Sequence, residues 1–272
     1  MTDFPAPAKL NLFLHVLGRR ADGYHELQTV FRLIDRADRI RIARRDDGEL
    51  RFAGVFGDDN LCLRAARLLK ESTACSLGAD IALEKRLPVG GGLGGGSSDA
   101  ASVLLALNRL WNLRLGRVRL LELGAKLGAD VPFFVFGRNA LGEGIGERLT
   151  ALELPSAWYL VITPQVAVST KEIFAVALTA ESKRLKIPPF FPGRGQNDLE
   201  RVVTDRFPQV AASLAWLKER AAQARMTGSG ACVFAEFASE AEARAIQSQM
   251  PRGMDGFVAQ GLDRHPLYDW AE

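Results

Sequence analysis

The stretch Pro88-Val-Gly-Gly-Gly-Leu-Gly-Gly-Gly-Ser-Ser-Asp-Ala-Ala101 decides how this chain is read. Six of its fourteen residues are glycine, so several backbone N–H groups can crowd together at φ values that other residues resist. Ser97, Ser98 and Asp99 close the run with side chains that favour helix caps. Apolar residues at 100, 103, 104, 107, 110 and 111 then predict a helix from Ala100 to Trp111. Upstream, Ile81 and Leu83 alternate with small or polar neighbours, which predicts a strand over Ala79–Glu84. A strand, a glycine loop and a helix N-terminus in sequence make a cradle for an anion, most often phosphate: the first helical turn has unpaired donors and a partial positive charge. A flexible spacer has no need of the capped helix.

The kind of phosphate loop follows by exclusion. A Walker loop ends in Gly-Lys-Ser/Thr, whereas here Gly96 runs directly into Ser97. Gly90, Gly92 and Gly95 satisfy Gly-x-Gly-x-x-Gly, but a dinucleotide site also needs an acid about twenty residues on, where this chain has Arg114, Leu115 and Gly116. The protein-kinase arrangement of a strand lysine and a His-Arg-Asp loop downstream is missing as well.

The chain has 272 residues, which accommodates one large or two small domains. Its 47% hydrophobic and 25% charged composition is that of an ordinary soluble protein. A net charge of +3 is too small to argue for nucleic acid, and the basic segment Arg39–Arg45 is followed at once by Asp46, Asp47 and Glu49. No apolar run approaches the roughly 18 residues of a membrane span. Cys62, Cys75 and Cys232 are odd in number and lack metal-site spacing, which suits buried thiols in a reducing, cytoplasmic compartment. The opening residues show no secretory or transit signal.

Over Ala8–Leu17, Leu10, Leu12, Leu14 and Val16 alternate with Lys9, Asn11, Phe13 and His15, so Lys9 and Asn11 share one face of a strand. A solvated edge lysine and a polar pocket wall fit that pattern equally well. Asp22-Gly23 marks a turn, and Tyr24 and His25 follow it either as a hairpin-closing pair or as a stacking face for a planar ligand. Strands are expected at Leu27–Asp35, Arg39–Ala43 and Leu50–Phe56. Asp58-Asp59-Asn60 caps a helix from Leu61 to about Lys70, and another helix runs from about Arg117 to Leu127, ending at Gly128. Asp130 stands among Ala129, Val131, Phe133 and Phe134. The commoner role there is to cap the next turn; the alternative is a lone acid facing a dry cleft, where it accepts a proton. Near Pro155 the pattern restarts: a strand at Trp158–Thr163, a short helix capped by Ser169-Thr170 and carrying Phe174, a proline-rich loop at 182–197, and helices from Asp198 and Pro208. Thr227-Gly-Ser-Gly230 precedes an apolar strand and reads as a second wall against the same phosphates. An amphipathic helix over Ser239–Met250 and a strand over Gly256–Gln260 complete an α+β pattern.

Five segments in combination, Pro7-Ala-Lys-Leu-Asn-Leu12, Arg20-Ala-Asp-Gly-Tyr-His25, Gly90-Gly-Gly-Leu-Gly-Gly-Gly-Ser-Ser98, Leu127-Gly-Ala-Asp-Val-Pro132 and Thr227-Gly-Ser-Gly-Ala-Cys-Val-Phe234, resemble the superfamily of galactokinase, homoserine kinase, mevalonate kinase and phosphomevalonate kinase. The glycine loop is two residues longer than that superfamily's usual Pro-x-x-x-Gly-Leu-Gly-Ser-Ser, the form typical of the branch acting on a cytidylated methylerythritol. The resemblance implies a ribosomal-protein-S5-like domain over 1–155, a ferredoxin-like domain over 156–272, and an active site between them. It implies transfer of the γ-phosphoryl group of ATP, with Mg²⁺, to a hydroxyl of that small-molecule substrate, on the non-mevalonate route to isoprenoid precursors. By the same resemblance Asp130 is the general base and Lys9 its charged partner. Pro88, Val89, Gly90, Gly91, Gly92, Leu93, Gly94, Gly95, Gly96, Ser97 and Ser98 hold the ATP phosphates, and Asn60 and Lys85 lie near the nucleotide. Asn11, His25, Thr170, Thr227, Gly228 and Ser229 meet the substrate, and Tyr24 and Phe174 sandwich its cytosine ring. No magnesium ligand is assigned, although Ser97 and Ser98 lie in the right region.

Overall fold

The computed structural model describes residues 1–21, 23–55, 57–177 and 195–271. Most of the expected proline-rich loop at 182–197 therefore lies outside the described residues, as do Asp22 of the expected turn and Phe56 at the end of the expected third strand.

The spine is a long antiparallel pair, β1 (Thr2–Arg19) and β2 (His25–Arg45). The two strands expected at Leu27–Asp35 and Arg39–Ala43 are one. Pro7 faces Ala37 and Ala8 faces Ile34, so the polar pair Asp35-Arg36 that reads as a break is a bulge within a continuous strand. The other edge of β2 serves three partners in turn: β5 (Ala140–Gly144), two residues of β10 (Gly256–Leu262), and β4 (Gly78–Glu84). The short strands β3 (Leu50–Ala53) and β6 (Arg148–Ala151) extend this sheet beyond β4 and β5.

Against the sheet lie α1 (Leu61–Thr73), α2 (Gly95–Leu110), α3 (Arg117–Ala125) and α4 (Val131–Phe136). α2 is the central element. Ala100, Val103, Leu104 and Leu107 are fully buried, and its first turn reaches back into the glycines. The expected start at Ala100 is thus late: the N-cap is Gly94, and Ser97, Ser98 and Asp99 belong to the first turns without capping it. Tertiary packing overrides the helix penalty of Gly95 and Gly96. The six residues of α4 follow Asp130; Pro132 in its first turn and Gly137 beyond its end fix its limits.

The second half contains β7 (Trp158–Ile162), α5 (Thr170–Ala177), α6 (Glu200–Arg206), α7 (Pro208–Lys218), β8 (Arg225–Met226), β9 (Val233–Phe237), α8 (Glu240–Gln247) and then β10. Its strands pair antiparallel in the order β10-β7-β9-β8, with α7 and α8 packed on them, a ferredoxin-like α/β sandwich. One core lies under α2 and another under β7 and β9. A third joins Leu10 and Leu12 of β1 to Tyr159, Val161 and Phe234. Residues after β10 return to the first half: Trp270 packs edge-on to Phe4 at 5.2 Å, and Leu267 and Ala271 join the core of α2. Among the described residues no helix is long and apolar enough to cross a membrane.

Candidate active site

A cleft of about 540 Å³ opens where β1, the glycine loop, α4, α5 and the 227–230 loop meet, a size suited to a small-molecule ligand. Its floor is Lys9, which is 3% exposed. The Lys9 Nζ donates to Asn11 Oδ1 at 2.5 Å and lies 3.5 Å from Asp130 Oδ2. Burial of an ammonium requires such partners. Asn11 is itself held in place: its Nδ2 donates to Thr29 Oγ1 at 2.8 Å, and that hydroxyl donates to the Phe13 carbonyl at 2.5 Å. Asp130 occupies the N-cap position of α4, but its side chain makes no capping bond. The capping role is therefore not realised; the carboxylate, one-third exposed, turns to Lys9 and the cleft.

The loop Pro88–Gly96 and Ser97 line the opposite wall. The Lys9 N–H donates to the Leu93 carbonyl at 3.0 Å, so strand and loop are joined beside the ion pair. The first helical bond of α2 runs from Ser98 N to Gly94 O. The N–H groups of Gly95, Gly96 and Ser97 precede it, and no side chain caps them. They form an anion seat at the positive end of a 16-residue helix. Two glycines are obligatory. Gly94 adopts φ +71°, and a Cβ there would stand 2.9 Å from Phe134 and 3.1 Å from Lys9 Cε; Gly92 adopts φ +76° and abuts the 227–230 loop. Ser98 is not on the cleft wall: its hydroxyl donates to Pro7 O at 2.6 Å and bolts α2 to β1.

Lys85 lines the cleft but is already engaged, between Asp38 and, at 2.9 Å, Asp99 Oδ2. Asp38 also accepts from the N–H groups of Arg86 and Leu87. Burial, with Asp38 close by, pushes the Asp99 carboxyl up to about 7 against the pull of Lys85. Burial opposes the charge on Lys85, but the two carboxylates overcome it and raise its pKa. One end of the glycine loop is thus fixed at Arg86 and Leu87, the other at Asp99. Asn60 caps α1 as expected, accepting from Cys62 N at 2.8 Å, and lies on the cleft wall near the loop.

On the far side Thr170 and Phe174, one turn apart on α5, face the cleft with Gly228 and Ser229. Thr170 and Ser229 share a hydroxyl–hydroxyl bond of 2.7 Å. The His25 ring, buried and with its pKa lowered by that burial and by Arg19, packs on Phe174 with centroids 5.1 Å apart. Tyr24 is 59% exposed and lies outside the cleft lining. Thr227 is fully buried behind the wall, its hydroxyl accepting from Asn11 N at 2.9 Å. Its place is structural. Thr29, Asp38 and Asp99 escaped the sequence reading. Thr29 is a lone hydroxyl in a strand, Asp38 falls between two expected strands, and Asp99 reads as a cap. The one usable signal was a lysine, Lys85, standing just before the glycine loop without an evident partner.

The glycines do not open a dinucleotide-binding βαβ unit: β5, the next strand after the loop and its helix, pairs antiparallel with β2 and not parallel with β4. Residues 60–138 match the GHMP kinases N terminal domain, and residues 192–256 match the GHMP kinases C terminal domain. Fold and cleft thus define a small-molecule phosphotransferase of the GHMP class. The chain is 58% identical over 275 residues to a 4-diphosphocytidyl-2-C-methyl-D-erythritol kinase of Nitrosospira multiformis, covering 98% of this chain and 94% of that one. It is also 58% identical over 272 residues to the protein of the same name from Thiobacillus denitrificans, covering 98% of each. A crystal structure of a 4-(cytidine 5'-diphospho)-2C-methyl-D-erythritol kinase superposes with a TM-score of 0.84 at 35% identity, over 96% of this chain and 99% of that one. A mevalonate kinase, at TM-score 0.72 and 15% identity over 97% of this chain and all of the other, shares the fold. The chain belongs to the 4-diphosphocytidyl-2-C-methyl-D-erythritol kinase family.

Proposed function

We propose that this chain transfers the γ-phosphoryl group of ATP to the 2-hydroxyl of 4-diphosphocytidyl-2-C-methyl-D-erythritol. The observation that carries the reading is the meeting of Lys9 and Asp130, 3.5 Å apart, beside an uncapped helix N-terminus in one cleft. Phosphoryl transfer depends mainly on positioning and on neutralising charge. Asp130 accepts the proton of the attacking hydroxyl. Lys9, anchored by Asn11, presents its charge to the oxygen that becomes the nucleophile. The N–H groups of Gly95, Gly96 and Ser97 take up charge on the transferring phosphate.

The nucleotide lies on the 1–155 side, along the glycine loop and Asn60. The cytidylated alcohol reaches across to Thr170, Phe174, Gly228 and Ser229, with His25 beneath its base and Tyr24 on the rim. Lys85 acts on the nucleotide indirectly, by fixing the loop. Hard oxygen donors suit Mg²⁺, and the Ser97 hydroxyl, on the cleft wall, fits it; Ser98, committed to Pro7, does not. Ser97 would hold the ion together with phosphate oxygens and water. When bound, Mg²⁺ supplies charge neutralisation on the phosphates.

The test is ADP release from MgATP. It is expected only when the cytidylated methylerythritol is present. Equal or faster release with mevalonate or homoserine would assign the cleft to another acceptor.

A further inference from the structure

Asn197 is 6% exposed and lies outside the cleft lining, yet its side chain touches the cleft's second wall from behind. Its Nδ2 donates to the carbonyls of Met226 at 2.9 Å and Gly228 at 2.7 Å, and its Oδ1 accepts from Leu199 N at 3.0 Å. Both amide hydrogens are spent on carbonyls that bracket Thr227. Thr227 in turn accepts from Asn11 N, and Ala231 and Cys232 donate to Gly90 and Gly91 of the phosphate loop. The residues around Asn197 grip β1 independently. Leu14 N donates to Gln196 O at 3.0 Å, Asp198 N donates to Leu14 O at 2.9 Å, and the Asp198 carboxylate accepts from Val16 N. Glu200 accepts from Met226 N at 2.9 Å. The tetrapeptide Asn197-Asp-Leu-Glu200 therefore fastens the 226–230 loop to the strand that bears Lys9 and Asn11.

We propose that Asn197 is a positioning residue for phosphoryl transfer: its amide sets the 227–230 loop and, through Thr227, the register of Asn11 and Lys9 against the phosphate loop. The proposal rests on the kinase reading of the cleft. Only a primary amide offers two donors on one atom and an acceptor on the next. An aspartate of the same shape would aim a carboxylate at two carbonyl oxygens. Displacement of a reacting group by about 1 Å costs on the order of 10²-fold in rate.

The experiment compares Asn197→Ala, Asn197→Asp and the core control Val210→Ala. Expected for Asn197→Ala are a kcat lower by about 10–100-fold, a KM for ATP within about threefold of wild type, and amide hydrogen exchange at 227–230 faster by about tenfold or more. Val210→Ala lowers Tm but leaves kcat and that exchange unchanged. For Asn197→Asp, activity relative to wild type rises as pH falls, because a protonated carboxyl regains one donor. A kcat loss no larger than the loss of folded protein, unchanged exchange at 227–230, or failure of both Asn197 variants to fold would each overturn the proposal. Absence of turnover in the wild-type chain would count against the kinase reading instead, while the exchange measurement would still judge Asn197.

Discussion

Replacing Gly92 by alanine tests whether the two loops must lie as close as they do. A Cβ on Gly92 would stand 2.2 Å from the Thr227 carbonyl oxygen and 3.1 Å from that of Gly230. Ordinary contact begins at 3.4 Å, so the loops must part by about 1.2 Å, and neither listener to the clash is a flexible side-chain tip. The residue would also keep φ +76°, which for alanine costs about 1–2 kcal/mol. The displacement acts on the wall that holds the phosphates, where a 1 Å error costs on the order of 10²-fold. Gly92→Ala is therefore expected to lower kcat/KM by about 10²-fold and Tm by about 5 °C. Gly18→Ala, with nothing within 4 Å of its added carbon, serves as control and is expected to leave both unchanged. Steady-state ADP release and thermal unfolding measure the pair. A Gly92→Ala enzyme within twofold of wild-type kcat/KM would refute the argument that this close approach builds the phosphate seat.

Asp130→Asn is expected to bind ATP and substrate yet lose on the order of 10²–10³ in kcat; near-normal turnover would remove the carboxylate from the chemistry. Phe174→Ala should raise KM for the cytidylated substrate about tenfold or more while KM for ATP stays put, since the ring is worth on the order of 1–2 kcal/mol; equal shifts in both would deny it a base-stacking role. His265 is buried, and that burial, with Arg117, lowers its pKa from 6.5 to about 3. A depressed basic group contributes stability above its unfolded pKa and loses it as pH falls, so unfolding free energy should drop by about 3 kcal/mol between pH 7 and 4, read from urea midpoints and absent in His265→Gln. Asp99 behaves oppositely. Its folded pKa is raised to about 7, so its contribution is complete below about 4 and is lost as pH rises through 7. Asp99→Asn should flatten Tm between pH 6 and 8, and an unchanged slope would place the titration elsewhere.

The glycine loop, the caps at Asn60 and the alternation around Lys9 were legible because each is a local pattern with a local cause. The α+β character of the second half was legible from its order of elements, and its ferredoxin-like type came from resemblance. The start of α2 was not, because burial of Ala100, Val103 and Leu104 extends the helix into glycines that propensity would exclude. The single long β2 was not, because a bulge and a strand break look alike until a partner strand is present. In the site, the pairing of Lys9 with Asp130 came from resemblance; residue pattern alone left the lysine undecided and favoured a cap for the aspartate. Side chains that serve other side chains, such as Thr29 beneath Asn11 and Asp38 beneath Lys85, carry no sequence signature, since their partners are distant in the chain.

The return of the last segment to α2 bears on how the molecule is made. Asn108 donates to the Trp270 carbonyl across 162 positions, and Arg117 reaches the carbonyl of Tyr268 at 2.6 Å. While the ribosome is still building the ferredoxin-like half, the module that bears the anion seat lacks its closing wedge and shows apolar surface around Phe4. Maturation of that module must wait for residues 267–271, a non-vectorial order that long-range contacts make slow.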